Sequence, residues 1–291
     1  MRRYWPGWVV RCALLSVVVG LVLCGCGKPA PQPGAPGAPS ARAVSSKADT
    51  VGLYGAANAT FMLTTREHPN TVEITFSFGP KDASLMPVAG DWDADGTTTV
   101  GTYSSKQGMF FLTNSTKGGK ADLSIRFGPK GATLVPLAGD WDGDGRSTIG
   151  LYAPATGLFY LQNSLKGGKA EVSFGFGPKG AQVIPLAGDW DGDGKTSVGI
   201  YSPASGTFFL RNSLTGGKAE IAFRYGPKDA SLLAVAGDWD GDGKDTVGIY
   251  SQESGTFFLR NILSGGNADQ TVSFGPKGKK LAPLAGRWGS G

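Results

Sequence analysis

The sequence Gly-Asp-Trp-Asp recurs with its first aspartate at Asp91, Asp140, Asp189 and Asp238, a spacing of 49 residues each time. A fixed period of this length limits the fold more than composition does, because each copy must bury its apolar face against its neighbours. Tyr54, Tyr103, Tyr152, Tyr201 and Tyr250 keep the same period, as do Gly79, Gly128, Gly177, Gly226 and Gly275. No insertion interrupts the five copies.

Within residues 183–226 the apolar positions follow strand rules. Val183–Ala187, Ser197–Tyr201, Thr207–Arg211 and Glu220–Tyr225 form four short runs, the last alternating with period two. Between them lie Asp-Gly, Pro-Ala-Ser-Gly, Leu-Thr-Gly-Gly and Gly-Pro, pairs whose glycines permit turns with positive φ. Four strands in a repeat of about 40–50 residues predict a propeller blade. Val51–Tyr54 begins on the second strand of a copy, and Leu281–Trp288 supplies only a first strand. Joining the two completes a fifth blade and leaves no open sheet edge. The expectation is an all-β, five-bladed β-propeller of four-stranded antiparallel blades, closed by pairing of the terminal strands over residues 49–291.

The loops after the first strands carry the charge pattern. They read Asp91-Trp92-Asp93-Ala94-Asp95-Gly96 and Asp140-Trp141-Asp142-Gly143-Asp144-Gly145, then likewise from Asp189 (Asp191, Asp193) and from Asp238 (Asp240, Asp242). These loops hold twelve of the 23 acidic residues. Carboxylates at positions 1, 3 and 5 of a tight turn converge and repel, and hard oxygen donors at that spacing suit calcium. In the fifth copy Arg287 and Gly289 replace the first two aspartates.

With these residues in view, the repeats resemble the FG-GAP, integrin α-chain type of calcium-binding propeller repeat over residues 51–288. The match is to its bacterial form, Gly-Asp-Trp-Asp-Gly-Asp-Gly followed by Val-Gly-Ile-Tyr and Phe-Gly-Pro. The resemblance implies about four Ca2+ sites in the hairpins between first and second strands. It adds a backbone carbonyl from loop position 7, which is Thr97, Arg146, Lys195 or Lys244. Position 9, commonly Asp in that family, is Thr99, Thr148, Ser197 or Thr246 here. A hydroxyl is the weaker ligand, so the expected affinity is on the order of 10⁻⁴ to 10⁻³ M. Integrin propellers have seven blades; five copies stand here.

Upstream of the repeats the chain changes character. Arg2, Arg3 and Arg11 precede an apolar run, Ala13–Leu23, shorter than the roughly 20 residues that span a bilayer and suited to an export signal. It ends in Leu23-Cys24-Gly25-Cys26, which resembles the lipobox of bacterial lipoproteins, with Cys26 the residue lipidated. Residues 1–25 are thus expected to be a signal peptide. Residues 26–48, rich in Pro, Ala and Gly, read as a tether unable to bury a core. The implied location is the bacterial cell envelope, lipid-anchored and extracytoplasmic, with membrane contact through the anchor alone. All three cysteines, Cys12, Cys24 and Cys26, fall in the leader, so calcium rather than disulfides is the candidate staple.

The formal net charge of +5 includes the three leader arginines, and no basic run interleaved with aromatics suggests nucleic acid. The lone histidine, His68, lies in a divergent turn. Acids outside the loops are themselves repeated (Glu73, Asp122, Glu171, Glu220, Asp269), whereas a glycosidase needs an asymmetric carboxylate pair. The expectation is a monomeric, non-enzymatic binding module for a protein or carbohydrate ligand. A calcium-dependent or calcium-stabilised lectin is the alternative, and a glycoside hydrolase a remote one. Trp92, Trp141, Trp190, Trp239 and Trp288 admit two readings, packing between blades or a ring of sugar platforms. Phe208-Phe209 and its counterparts cannot both face inward, so one of each pair meets a neighbouring blade or solvent.

Overall fold

The computed structural model describes residues 47–66, 68–229 and 231–289. Expectations for Cys26, for the leader at 1–25 and for the tether before residue 47 lie outside the described residues.

The short apolar runs become strands, four to six residues each, joined by glycine turns. The first complete blade is β4 (Leu85–Gly90), β5 (Thr99–Ser104), β6 (Met109–Leu112) and β7 (Leu123–Arg126), paired in that order. The second is β8 (Val135–Gly139), β9 (Thr148–Ala153), β10 (Leu158–Leu161) and β11 (Val172–Gly175). The third runs β12 (Ile184–Gly188), β13 (Ser197–Ser202), β14 (Thr207–Leu210) and β15 (Ile221–Arg224). The fourth runs β16 (Leu232–Gly237), β17 (Thr246–Ser251), β18 (Thr256–Leu259) and β19 (Gln270–Ser273). The fifth joins both ends of the repeat region: β20 (Ala282–Gly286) pairs with β1 (Thr50–Gly55), followed by β2 (Thr60–Leu63) and β3 (Ile74–Ser77). The closing register sets Thr50 against Gly286 and Tyr54 against Ala282. The five-bladed propeller expected from the repeat is therefore the observed fold.

Burial peaks at the second strand of each blade and declines outward from it. β5 is buried at all six positions, β6 at alternate ones, and β7 at one of four. A strand covered on both faces reads as a continuous apolar run, and a half-covered one alternates. The core lies between blades. One cluster joins Val88, Trp92, Tyr103 and Phe110 of the first blade to Ile149 and Leu151 of the second. Inside each blade a tyrosine packs on a phenylalanine across two strands, for example Tyr103 and Phe110 with ring centres 4.6 Å apart. The glycine before each of these tyrosines is required by close approach. A Cβ on Gly101 would lie 2.4 Å from a methyl of Leu112.

Neighbouring blades are also tied by a girdle of hydrogen bonds at the ends of the inner strands. It uses residues one period apart: Asp49, Thr98, Ser147, Thr196 and Asp245. The amide of each donates to the first loop residue of the preceding blade, as Asp245 N to Asp189 O at 2.7 Å and Asp49 N to Asp238 O at 2.7 Å. Side chains return the bond, with Asp189 N donating to Asp245 Oδ2 at 2.8 Å and Asp140 N to Thr196 Oγ1 at 3.0 Å.

Three girdle positions are hydroxyls and two are carboxylates. Asp49 and Asp245 keep some surface exposed, yet their carboxyls are desolvated. Burial pushes both above the usual range, and for Asp245 the negative charge of Asp49 adds to this. A raised carboxyl holds its proton in the fold after the unfolded chain has released it. This pair therefore favours the fold most at low pH, and its contribution falls as pH rises from about 4, the ordinary carboxylate value. Asp245→Thr, which installs the residue found at Thr196, is expected to raise Tm at pH 8 and to change it far less near pH 4. The gain should follow about 2–4 °C per kcal/mol for a domain of this size. Calorimetry at the two pH values, with calcium held constant, checks it; an equal shift at both would refute the assignment.

Candidate functional site

Each Gly-Asp-Trp-Asp loop is a tight turn built on its own carboxylates. In the second blade Asp140 Oδ1 accepts from the amides of Gly143 (2.8 Å) and Asp144 (3.1 Å), and Oδ2 accepts from Gly145 (2.8 Å). Asp144 Oδ1 then accepts from the Arg146 amide at 2.8 Å. The loops led by Asp189 and Asp238 repeat all four bonds. Asp91 and Asp95 likewise accept from Asp95, Gly96 and Thr97.

This folding gathers the three acids of each loop. In every triad (Asp91, Asp93, Asp95; Asp140, Asp142, Asp144; Asp189, Asp191, Asp193; Asp238, Asp240, Asp242) one carboxylate oxygen from each residue lies within 4.8 Å of the others. Burial raises the pKa of Asp140 and Asp189, and the neighbouring Asp144 and Asp193 charges add to it, while the loop amides oppose it. Asp93 is raised by desolvation and then by the charges of Asp95 and Asp91. Three clustered carboxylates with oxygen donors only are a fit for a divalent cation such as calcium.

Positions 7 and 9 also take part in the bonding that shapes each loop. At position 7 the amides of Thr97, Arg146, Lys195 and Lys244 bind the loop, and the basic side chains reach toward the preceding loop. Arg146 Nη1 donates to Trp92 O at 3.2 Å, and the Lys195 stem lies against Gly143. At position 9 the hydroxyls hydrogen-bond to the backbone. Thr99, Thr148, Ser197 and Thr246 open the second strands and pair with Gly90, Gly139, Gly188 and Gly237. Their hydroxyls donate to those glycine carbonyls at 3.1–3.4 Å. Thr148 and Thr246 also donate to Gln162 O and Arg260 O at 2.6 Å.

The tryptophan ring is core. Trp92, Trp141, Trp190, Trp239 and Trp288 are between 1% and 8% exposed, so their indoles offer no sugar platform. That corrects the platform reading: the indole at loop position 2 folds back over the glycine that ends each first strand, as Trp92 does over Gly90.

Opposite the Asp loops, at the other ends of the first strands, three blade junctions hold cavities. They measure about 380 Å³ between the closing and first blades, about 270 Å³ between the first and second, and about 790 Å³ between the second and third. Each is floored by a Phe-Gly-Pro turn and walled by the half-buried aromatic of a third strand: Phe111, Tyr160 or Phe209. These are the outward members of the paired aromatics. The cavities were not legible as sites, because each is assembled from two copies of the repeat.

The chain matches no family model and no curated protein sequence. Among solved structures it is similar to a lectin of Agrocybe aegerita described for specific recognition of non-reducing terminal N-acetylglucosamine. That match has 14% identity and TM-score 0.38 over 78% of this chain and 66% of the lectin. The V. cholerae biofilm matrix protein Bap1 matches at 17% identity and TM-score 0.32, over 78% of this chain and 39% of Bap1. BBS1N, solved in complex with ARL6DN, matches at 14% identity and TM-score 0.39, over 81% and 72% of the two chains. The chain thus spans under two thirds of Bap1 and about two thirds of the lectin. At these scores the matches assign neither family nor ligand.

The loops differ at one backbone position. Ala94 adopts φ 63°, where Gly143, Gly192 and Gly241 stand at 74–79°. A side chain in this left-handed region costs about 1–2 kcal/mol, partly offset by the roughly 0.4–1 kcal/mol gained from a stiffer unfolded chain. Gly192→Ala is therefore expected to lower stability by about 1 kcal/mol and Ala94→Gly to raise it by less. Urea unfolding of both variants checks the opposite signs.

Proposed function

We propose that this chain is a lipid-anchored, extracytoplasmic binding module of the FG-GAP type. Its propeller would carry calcium in up to four Asp loops, and its task would be recognition of a protein or carbohydrate rather than catalysis. The four carboxylate triads carry the reading. They draw acids together without a matching number of cations, and Asp91, Asp93 and Asp95 with their three counterparts would hold the ion. Bound calcium would supply the positive charge that lets these loops stay closed; the chain's own amides and the stems of Lys195 and Lys244 shape the turn around it.

The remaining repeated acids support a non-catalytic role. Asp122, Glu171, Glu220 and Asp269 each cap the turn after a third strand, accepting from Asn114, Asn163, Asn212 and Asn261 amides at 2.8–3.1 Å. Carboxylates engaged in the same local bond in four blades do not form the opposed pair that glycoside hydrolysis requires. The basic loop tips Lys81, Lys130, Lys179, Lys228 and Lys277 are all exposed.

Calcium that binds only the fold stabilises it by mass action, about 1.4 kcal/mol per site at ten times Kd. The mature protein is expected to melt higher in millimolar calcium than in EDTA, with magnesium a poor substitute. Scanning calorimetry decides this: identical melting in calcium and EDTA would sink the metal reading. Asp142→Asn is expected to remove part of the calcium-dependent gain, with little change in EDTA.

A further inference from the structure

The three junction cavities occupy equivalent positions, yet they differ in chemistry. Two are apolar at the strand beneath the aromatic wall: Leu151 faces Tyr160, and Ile200 faces Phe209, as direct cross-strand partners. At the junction of the closing and first blades the same place is Thr102, partner of Phe111. Its side chain shares the face of Phe111, its hydroxyl lies close to the cavity-lining Gly79, and it is fully buried with no hydrogen-bond partner. An unsatisfied buried hydroxyl where other copies have Leu or Ile is destabilising, so packing does not account for it.

Further polar groups converge there. Asp82 is held by Ser84, whose Oγ donates to Oδ1 at 2.7 Å, and by Lys106, whose Nζ lies 3.0 Å from Oδ2. The Ser84 hydrogen bonds, then Lys106, keep this carboxylate well below the usual range, so it is an ionised acceptor at neutral pH. Gln107 lines the same cavity. With Lys106 neutralising Asp82, the cavity presents hydrogen-bonding capacity, and the one further charged side chain on its lining is the exposed Lys120.

We infer that this cavity, walled by Phe111 and edged by Asp82 and Gln107 over Thr102, is a binding pocket for one pyranose residue of a neutral saccharide. A sugar ring has an apolar C–H face for the phenyl wall and hydroxyls for an oriented carboxylate and an amide. A volume of about 380 Å³ sits at the small end of ligand pockets, right for one ring. The inference rests on the binding-module reading but not on calcium, because the pocket touches Leu85 at one end of β4 and the Asp91 loop follows Gly90 at the other.

Saturation-transfer NMR on the full-length protein tests it. The probes are methyl glycosides of glucose, galactose, mannose, N-acetylglucosamine and glucuronic acid, each in calcium and in EDTA below the melting transition. At least one neutral glycoside should bind in both conditions. Gln107→Ala and Phe111→Ala should each weaken it about tenfold or more, while Phe209→Ala, the same wall over Ile200 in place of Thr102, should leave it unchanged. Thr102→Val should raise Tm and weaken binding together, a combination that a purely structural threonine does not produce. Silence from every glycoside on folded protein overturns the pocket, as does binding only to the glucuronide or binding indifferent to Gln107→Ala and Phe111→Ala. Melting that ignores EDTA overturns calcium alone.

Discussion

The pairing of β20 with β1 is the contact on which the rest of the ring depends. Every other blade is made from consecutive strands and closes locally, whereas this one joins residues 228 to 236 positions apart. Such a contact carries the largest loop-closure cost in the chain, and it is compensated only when all five inner strands meet around the axis. Once it forms, each blade has a neighbour on both faces, and the aromatic clusters between blades exclude water. The girdle from Asp49 to Asp245 then acts within an already closed circle.

The two ends of the blades divide the chemistry. At one end the first strand runs into the Asp loop, where a carboxylate that accepts three amides organises the turn and two more complete a cluster. At the other, Phe-Gly-Pro turns leave space between blades, walled by the aromatics that face outward. A six-residue first strand separates the two ends, roughly 20 Å at about 3.3 Å per residue. The acidic loops at one end and the inter-blade cavities at the other can therefore vary independently.

Much of this was legible because the repeat is so regular. The 49-residue period, the alternation in the run Glu220–Tyr225 and the matching ends at Val51 and Leu284 suffice for the blade plan and its closure. The triads at Asp91, Asp140, Asp189 and Asp238 were legible as clusters, since odd-position spacing in a turn has few geometric solutions. The backbone bonds of the position-9 hydroxyls were not legible, because only the register with Gly90 or Gly139 reveals where Thr99 or Thr148 points. The tryptophans were ambiguous because size and periodicity suit core and platform alike. Thr102, Asp49 and Asp245 carried a visible signal, a polar residue out of step with its period-mates. Its meaning depended on contacts between blades that no single copy contains.

Near-identical blades also set the chain a problem of address. Strands with the same pattern can pair with the wrong partner at little energetic difference, and such traps are the characteristic failure of repeat proteins. The seam is where this chain carries its distinguishing marks. Asp49 takes up the Asp238 amide at 3.1 Å, Thr98 accepts from Arg287 at 3.0 Å, and β20 runs into no acidic triad. Of the five inner strands, β20 alone runs into a loop that opens on a basic residue, so the blade where the ring shuts is the one whose inner end carries the opposite charge.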